Sequence, residues 1–446
     1  MMSDILPKSV GRYIKYIIFT YAMISLVYTA VRFYNISGNL HTRARRSIED
    51  SLNPVEETFF VAPFADEIME EDEELKSIVY FDDQMTSVLD NEPEPVNTLN
   101  TVNSVLQSKT FSGAMGPSEI TPYYIKATEN FNTEDISIST IVTNDRFPIL
   151  SRLATKYQGP ISAAIHINDD EKKKAVLAEL DELFEENPYM KRYVDVHLIV
   201  DKYDRQFNMW RNVAKLYART DYIMMLDIDF YLCTDFRKVI LENPDLMAML
   251  NEGHTAFVIP AFEYIAQSDG FDYTHFPKSK DELLKEVFED EKLDMFHRSW
   301  ERGHSSTNYH KWYTATEPYR VEEYNFSYEP YIVFKRQTSP WCDERFIGYG
   351  ANKAACLYEI YISGIDFYVL PNDFIIHQSH AYPEAARKRE RTFNRKVYTN
   401  FREELCLRYA RQFIANGDWN ISISNNLRTE CMKIREFSNV IQAIDQ

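Results

Sequence analysis

Between Ile136 and Phe230 the chain alternates apolar, β-branched runs with helix-forming stretches, and this alternation constrains the fold more than any other feature. ISISTIV (136–142), ISAAIHI (161–167), VDVHLIV (194–200) and DYIMMLDIDF (221–230) read as strands. A helical stretch near Pro148–Tyr157, the amphipathic EKKKAVLAELDELFEEN (171–187) and NMWRNVAKLYAR (208–219) read as the helices between them. Strands separated by helices return in the same direction, so the expected fold class is α/β with a central, mostly parallel sheet. Further on, EPYIVFKR (329–336), FYVLP (367–371) and FIIHQSH (374–380) read as strands, AACLYEIYIS as a helix, and CDERFIGYGANK (342–353) as a loop with two glycines.

The preceding residues have a different texture. An uncharged run, YIIFTYAMISLVYTAV (16–31), lies between Lys8, Arg12, Lys15 and Arg32. It is short for a bilayer, but long enough if its ends snorkel, and it suits the thinner membranes of the early secretory pathway. No small-x-small cleavage site follows, so an uncleaved anchor at 14–32 behind a cytoplasmic tail (1–13) is expected. Residues 33–130 read as an acidic, partly disordered stem, with runs such as MEEDEEL and DNEPEP, before a catalytic body at 131–446. Flanking charge does not settle orientation, but sequons at Asn35, Asn325 and Asn420 fit a lumenal body. The net charge of −19 repels phosphate backbones and argues against nucleic-acid binding. The 5 cysteines form no CxxC pair and no zinc spacing. One or two disulfides are compatible with a secretory lumen, with the pairing left open.

Asp227-Ile228-Asp229 follows the apolar IMML at the expected carboxyl end of a central strand, the edge where open α/β sheets bind ligands. Alternate residues of a strand share a side, so both carboxylates are expected to converge on one site. Hard oxygen ligands there suit Mg²⁺ or Mn²⁺ with nucleotide phosphates completing the shell. His377 and His380 could add nitrogen ligands, although a histidine straight after FII is most often a core residue.

Longer segments carry more specificity than Asp-x-Asp. GPISAAIHI (159–167), RNVAKLYARTDYIMMLDIDF (211–230), IPAFE (259–263), FPKSKDELL (276–284), GHSSTNYHKWYTATEPYRVE (303–322), YEPYIVFKR (328–336), DERFIGYGANK (343–353) and FYVLPNDFIIHQSHA (367–381) resemble glycosyltransferase family 49. That family contains the C-terminal domain of the LARGE-type xylosyl/glucuronyltransferases and a β-1,4-glucuronyltransferase. The resemblance implies a GT-A type nucleotide-sugar-binding fold, Mn²⁺ (or Mg²⁺), inversion at the anomeric carbon, and a Golgi type II membrane protein. It implies Asp227, Asp229, His377 and His380 as metal ligands. It puts Arg146, Asn208, Arg211, Asn212, Asp227, Ile228 and Lys353 on the donor side, and Glu329, Tyr349, Gly350 and Asn352 on the acceptor side. Two departures stand out: Ala351 occupies a position where the family commonly has Trp, and a stem replaces the bifunctional enzymes' xylosyltransferase domain.

Inverting transfer needs a base beside the acceptor hydroxyl. Asp343 is the expected base, with Glu344 as runner-up, unless Asp343 simply pairs with Arg345 or Glu344 with Lys353. UDP-glucuronic acid is the expected donor, its carboxylate met by Arg336, Arg345 or Lys353, and a glycan on a glycoprotein is the expected acceptor. UDP-xylose, UDP-galactose and UDP-N-acetylglucosamine stay open. The rival readings are a catalytically degenerate secretory-pathway scaffold and an α/β metallohydrolase, which would need further clustered metal ligands.

Overall fold

The computed structural model describes residues 118–203, 205–380, 384–435 and 437–438. The expected tail, membrane span and most of the stem, Asn35 included, lie outside the described residues. Among the described residues no helix is long and apolar enough to cross a membrane.

In chain order the elements begin with β1 (Glu119–Ile125), β2 (Ile136–Thr143), α1 (Phe147–Tyr157), β3 (Ile161–Asn168), α2 (Lys173–Glu186), α3 (Pro188–Tyr193), β4 (Val194–Asp201) and α4 (Phe207–Tyr217). Next come β5 (Tyr222–Met225), β6 (Phe230–Leu232), α5 (Phe236–Leu241), α6 (Pro244–Glu252), β7 (Thr255–Ile259), β8 (Ala261–Tyr264), α7 (Lys280–Phe288) and β9 (Leu293–Met295). The last group is α8 (Tyr309–Thr314), β10 (Tyr319–Arg320), β11 (Tyr331–Lys335), α9 (Asn352–Ile362), β12 (Asp366–Val369), β13 (Ile375–His377), α10 (Glu384–Asn416) and α11 (Asn425–Cys431). The expected strand–helix alternation is present from β2 to β5. β1 falls inside the stretch read as stem. It pairs antiparallel with β4, so the folded body begins earlier than residue 131.

Nine strands form one sheet in the order β1-β4-β3-β2-β5-β11-β7-β12-β10. The sheet is mixed with a parallel majority: six of its nine strands run one way, and β1, β10 and β11 run against them. β4-β3-β2-β5 run parallel, as do β7 and β12, while β11 lies antiparallel between β5 and β7. Helical crossovers between β2, β3, β4 and β5 dictate the parallel block, and β11 breaks it because its chain arrives from the other end. Alternation sets the layers. Met224 and Val333 face one core with α1, α5 and α6, whereas Ile223, Met225, Ile332 and Phe334 face another built on α9 and α10. A one-residue slip of β5 would exchange these sets between two cores. Each fully buried aliphatic side chain contributes about 1.5–3 kcal/mol, so the register is firmly held.

A second sheet, β6-β13-β8-β9, stands at the end of β5. In it His377 pairs with Phe230 on one side and Glu263 on the other. Two disulfides, Cys342–Cys356 and Cys406–Cys431, answer the open question of pairing, and Cys233 is a buried free thiol.

Candidate active site

The site grows from the end of β5. The strand stops at Met225, and Asp227–Asp229 form a turn into β6, with the Phe230 N–H donating to the Asp227 carbonyl at 3.3 Å. The expected continuous strand is therefore absent, and the argument that alternation makes both carboxylates converge does not hold. The Ile228 side chain is buried among the core side chains, so only its backbone could meet a donor. The two aspartates have different partners.

Asp229 meets the histidines. β6 and β13 pair so that His377 lies opposite Phe230, and the Gln378 N–H donates to the Asp229 carbonyl at 2.8 Å. One ligand atom each of Asp229, His377 and His380 lies within 4.8 Å of the others. His380 Nε2 is 3.3 Å from Asp229 Oδ2, while Arg146 Nε donates to Oδ1 at 2.6 Å. Burial resists ionisation of Asp229, but His380, Arg146 and His377 outweigh it and hold the carboxyl below its ordinary range. Burial pushes His377 down to about 3, so its imidazole is neutral. One carboxylate and two imidazoles are a donor set that fits Mn²⁺.

Asp227 lies outside that trio. Its Oδ2 accepts from Lys353 Nζ and from the Tyr331 hydroxyl, both at 3.0 Å, and Oδ1 from Arg211 at 3.3 Å. Burial opposes its charge, yet Lys353 and Arg211 hold the carboxyl well below the carboxylate range. Lys353 also sits 3.3 Å above the Tyr331 ring. Of the four expected metal ligands, the structure brings three together and gives the fourth to two cations and a phenol.

α4 supplies a buried polar stripe. Asn208 donates to the carbonyls of Asp343 (2.8 Å) and Asn352 (3.0 Å). Arg211 donates to Asn208 and to the Asn352 side chain, and Asn212 donates to the Cys342 carbonyl and to Glu344, both at 2.8 Å. Asn208 and Asn212 thus tie down the 342–353 loop, and Asn352 is an interior link, so none of the three presents itself to a ligand. Gly350, at φ +92°, allows a close pass: a Cβ there would come 3.0 Å from the Arg391 Cα. Tyr349 is half-buried against Phe207.

The expected bases are engaged. Arg345 clamps Asp343 through Nε and Nη2 at 2.7–3.0 Å, so both carboxylate oxygens already face a guanidinium. Glu344 is held by Asn212, and its other oxygen is sealed from solvent without a partner. Arg336 donates to the Thr220 carbonyl and is not free to meet a sugar carboxylate. Sequence reasoning missed Tyr331 and His304. His304 is buried, and its ring lies parallel to Tyr331 at 6.3 Å. Both residues lie in segments quoted above only for their resemblance to the family, GHSSTNYHKWYTATEPYRVE and YEPYIVFKR, with no role given to either side chain.

The family model described as "Glycosyl-transferase for dystroglycan" matches residues 135–207 and 200–410. Human xylosyl- and glucuronyltransferase LARGE1 is 33% identical over 254 residues, covering 56% of this chain and 32% of that protein. The LARGE2s protein of Danio rerio is 34% identical over 255 residues, covering 55% and 32%. The chain therefore spans about a third of the length of these relatives. The structure of GalNAc-T7 with UDP, GalNAc and Mn²⁺ shares 14% identity at a TM-score of 0.34, covering 56% of this chain and 44% of that one, a likeness too weak to argue from. With a match over more than half its length, most of it within the folded body, the chain belongs to glycosyltransferase family 49.

Proposed function

We propose that this protein is an inverting, Mn²⁺-dependent glycosyltransferase with a GT-A type body that moves a sugar from a UDP-sugar onto a glycan carried by a glycoprotein. One observation carries the reading: Asp229, His377 and His380 converge at the sheet edge, with Arg146 on one side and the Asp227–Lys353–Arg211 network on the other. A divalent ion held by the trio would offset charge developing on a departing diphosphate. Arg146, already aimed at Asp229, can turn one guanidinium edge to a phosphate oxygen. Asp227, fixed as a carboxylate, orients Lys353 toward the donor, and Tyr331 underlies both. Glucuronic acid is the donor sugar we favour, because the relatives are named for xylosyl and glucuronyl transfer. A type II, single-pass Golgi enzyme anchored at 14–32 with its body in the lumen agrees with two disulfides, which persist in oxidising compartments.

Thermal unfolding of the purified body with UDP-glucuronic acid, UDP-xylose, UDP-galactose and UDP-N-acetylglucosamine, with and without Mn²⁺, tests this. A selective donor at a hundred times its Kd stabilises the body by about 2.7 kcal/mol. We expect a metal-dependent rise in Tm with one donor, lost in Asp229→Asn and in His377→Ala. A Tm unmoved by any UDP-sugar with Mn²⁺ would refute the reading.

A further inference from the structure

Resting on that reading, we propose that Trp300 and Glu329 form the acceptor end of the site: the acceptor sugar lies on the indole of Trp300, and its attacking hydroxyl gives its proton to the Glu329 carboxylate. Trp300 is 48% exposed, and the other four tryptophans are buried or half-buried. An exposed indole costs solubility unless something covers it, and the apolar C–H face of a sugar ring is a fitting cover.

The indole is not adrift. A Cβ on Gly303 would meet its six-membered ring at 3.5 Å, so the ring rests on Gly303. The Gly303 carbonyl accepts from the Glu329 N–H at 2.8 Å, which sets the platform beside the start of β11. On one side of Trp300, His297 stacks on Phe296 at 4.0 Å, and Phe296 packs against His377 at 4.9 Å. On the other, His304 lies parallel to Tyr331. Both ends of the segment are therefore fastened to the walls of the candidate metal and donor site.

Glu329 lies just ahead of β11, and its carboxyl is within electrostatic reach of Lys353, Asp227 and Arg211, the charges gathered around Tyr331. It is partly exposed, and the Ala354 N–H at the start of α9 donates to its carboxylate. Among the described residues no cation is hydrogen-bonded to it, in contrast to Asp227, Asp229 and Asp343. Glu344 also lacks a cation, but its spare oxygen is sealed. Burial, then the nearby charge of Asp227, raise the Glu329 carboxyl against the opposing pull of Lys353 and Arg211, which makes it a better proton acceptor than an ordinary carboxylate. The step balances. The acceptor oxygen bonds to the donor's anomeric carbon, and the bond from that carbon to the diphosphate oxygen breaks. UDP leaves with the electron pair, and the proton passes to Glu329 and then to water.

Trp300→Ala, Trp300→Phe and Glu329→Gln separate these roles. Saturation-transfer NMR with a panel of β-xylosides, β-glucuronides and β-N-acetylglucosaminides reads acceptor binding, and thermal shift with UDP and Mn²⁺ reads the donor end. Trp300→Ala should weaken saccharide binding about tenfold or more, with Trp300→Phe intermediate and the UDP shift unchanged in both. Glu329→Gln should keep saccharide binding and the UDP shift while turnover falls on the order of 10²–10⁴-fold. Saccharide binding by Trp300→Ala equal to wild type, no binding by the wild type, or normal turnover by Glu329→Gln overturns the inference. Saccharide binding that depends on Trp300, with no UDP-sugar effect in any protein, sinks the transferase reading and the base role but keeps the platform.

Discussion

Asp373 shows how one buried carboxyl sets a pH dependence. It is almost fully buried; Thr234 donates to one oxygen, and the other has no partner. Burial pushes its pKa up to about 6, despite the Thr234 hydrogen bond. A carboxyl raised in the folded state adds stability that is fully present below its unfolded value and is lost as pH rises through about 6. Asp373→Asn removes that penalty. Relative to wild type, the variant should gain on the order of 3 kcal/mol between pH 4 and pH 7 in denaturant unfolding. Parallel stability curves for the two proteins would show that Asp373 is already neutral or solvated at pH 7. At Lys353 burial likewise disfavours the charged form and lowers the ammonium below its ordinary range, while Asp227 and Glu329 oppose it.

At the scale of elements, α4 and the 342–353 loop depend on each other. Asn208, Arg211, Asn212 and Lys215 recur at helical spacing, a polar stripe that would ordinarily face water. Here it is buried: Lys215 donates to the carbonyls of Ser339 and Pro340, and burial pulls it down to about 7. The loop returns the hydrogen bonds, and Cys342–Cys356 staples it to α9. Closing a loop of 14 residues, the separation of these two cysteines, contributes about 3 kcal/mol in the chain-entropy account. The Cys342→Ser/Cys356→Ser double variant should lose about that much in denaturant unfolding. Amide hydrogen exchange should rise in residues 342–353 and not in β2–β4; a uniform rise would show that the loop does not open on its own.

For the whole molecule, two sheets meeting at one turn create the site. The large sheet delivers Asp227 and Tyr331, the small sheet delivers His377 and His380, and the turn between β5 and β6 carries Asp229 from one to the other. Placement of this body in a secretory lumen has a direct readout. Asn420 of the NIS sequon is exposed after α10, whereas Asn325 is part-buried and caps Ser327 with its own side chain. Expression in a eukaryotic secretory host should give an endoglycosidase-sensitive mass increase that Asn420→Gln reduces. A mass unchanged by endoglycosidase would count against the lumenal orientation.

Local periodicity made the β2–β5 alternation, α9, β11, β12 and β13 legible, because a strand or helix that buries one face writes its period into the chain. The same logic singled out Asp227 and Asp229 after the apolar IMML run, whereas His377 and His380 were picked out as ligands by the family resemblance. It failed where contacts are long-range. No local signal says that β11 enters antiparallel between β5 and β7, that β1 is recruited from an acidic segment, or that the stripe on α4 is covered by a loop more than a hundred residues away. Nor could spacing reveal that Asp227 meets Lys353 and Arg211 rather than the imidazoles, although the Asp343–Arg345 pair was foreseen as the alternative to a base role. Those outcomes depend on which charges the packed sheets bring within about 3 Å of each other, where the Coulomb term outweighs desolvation. Only the tertiary structure fixes those distances.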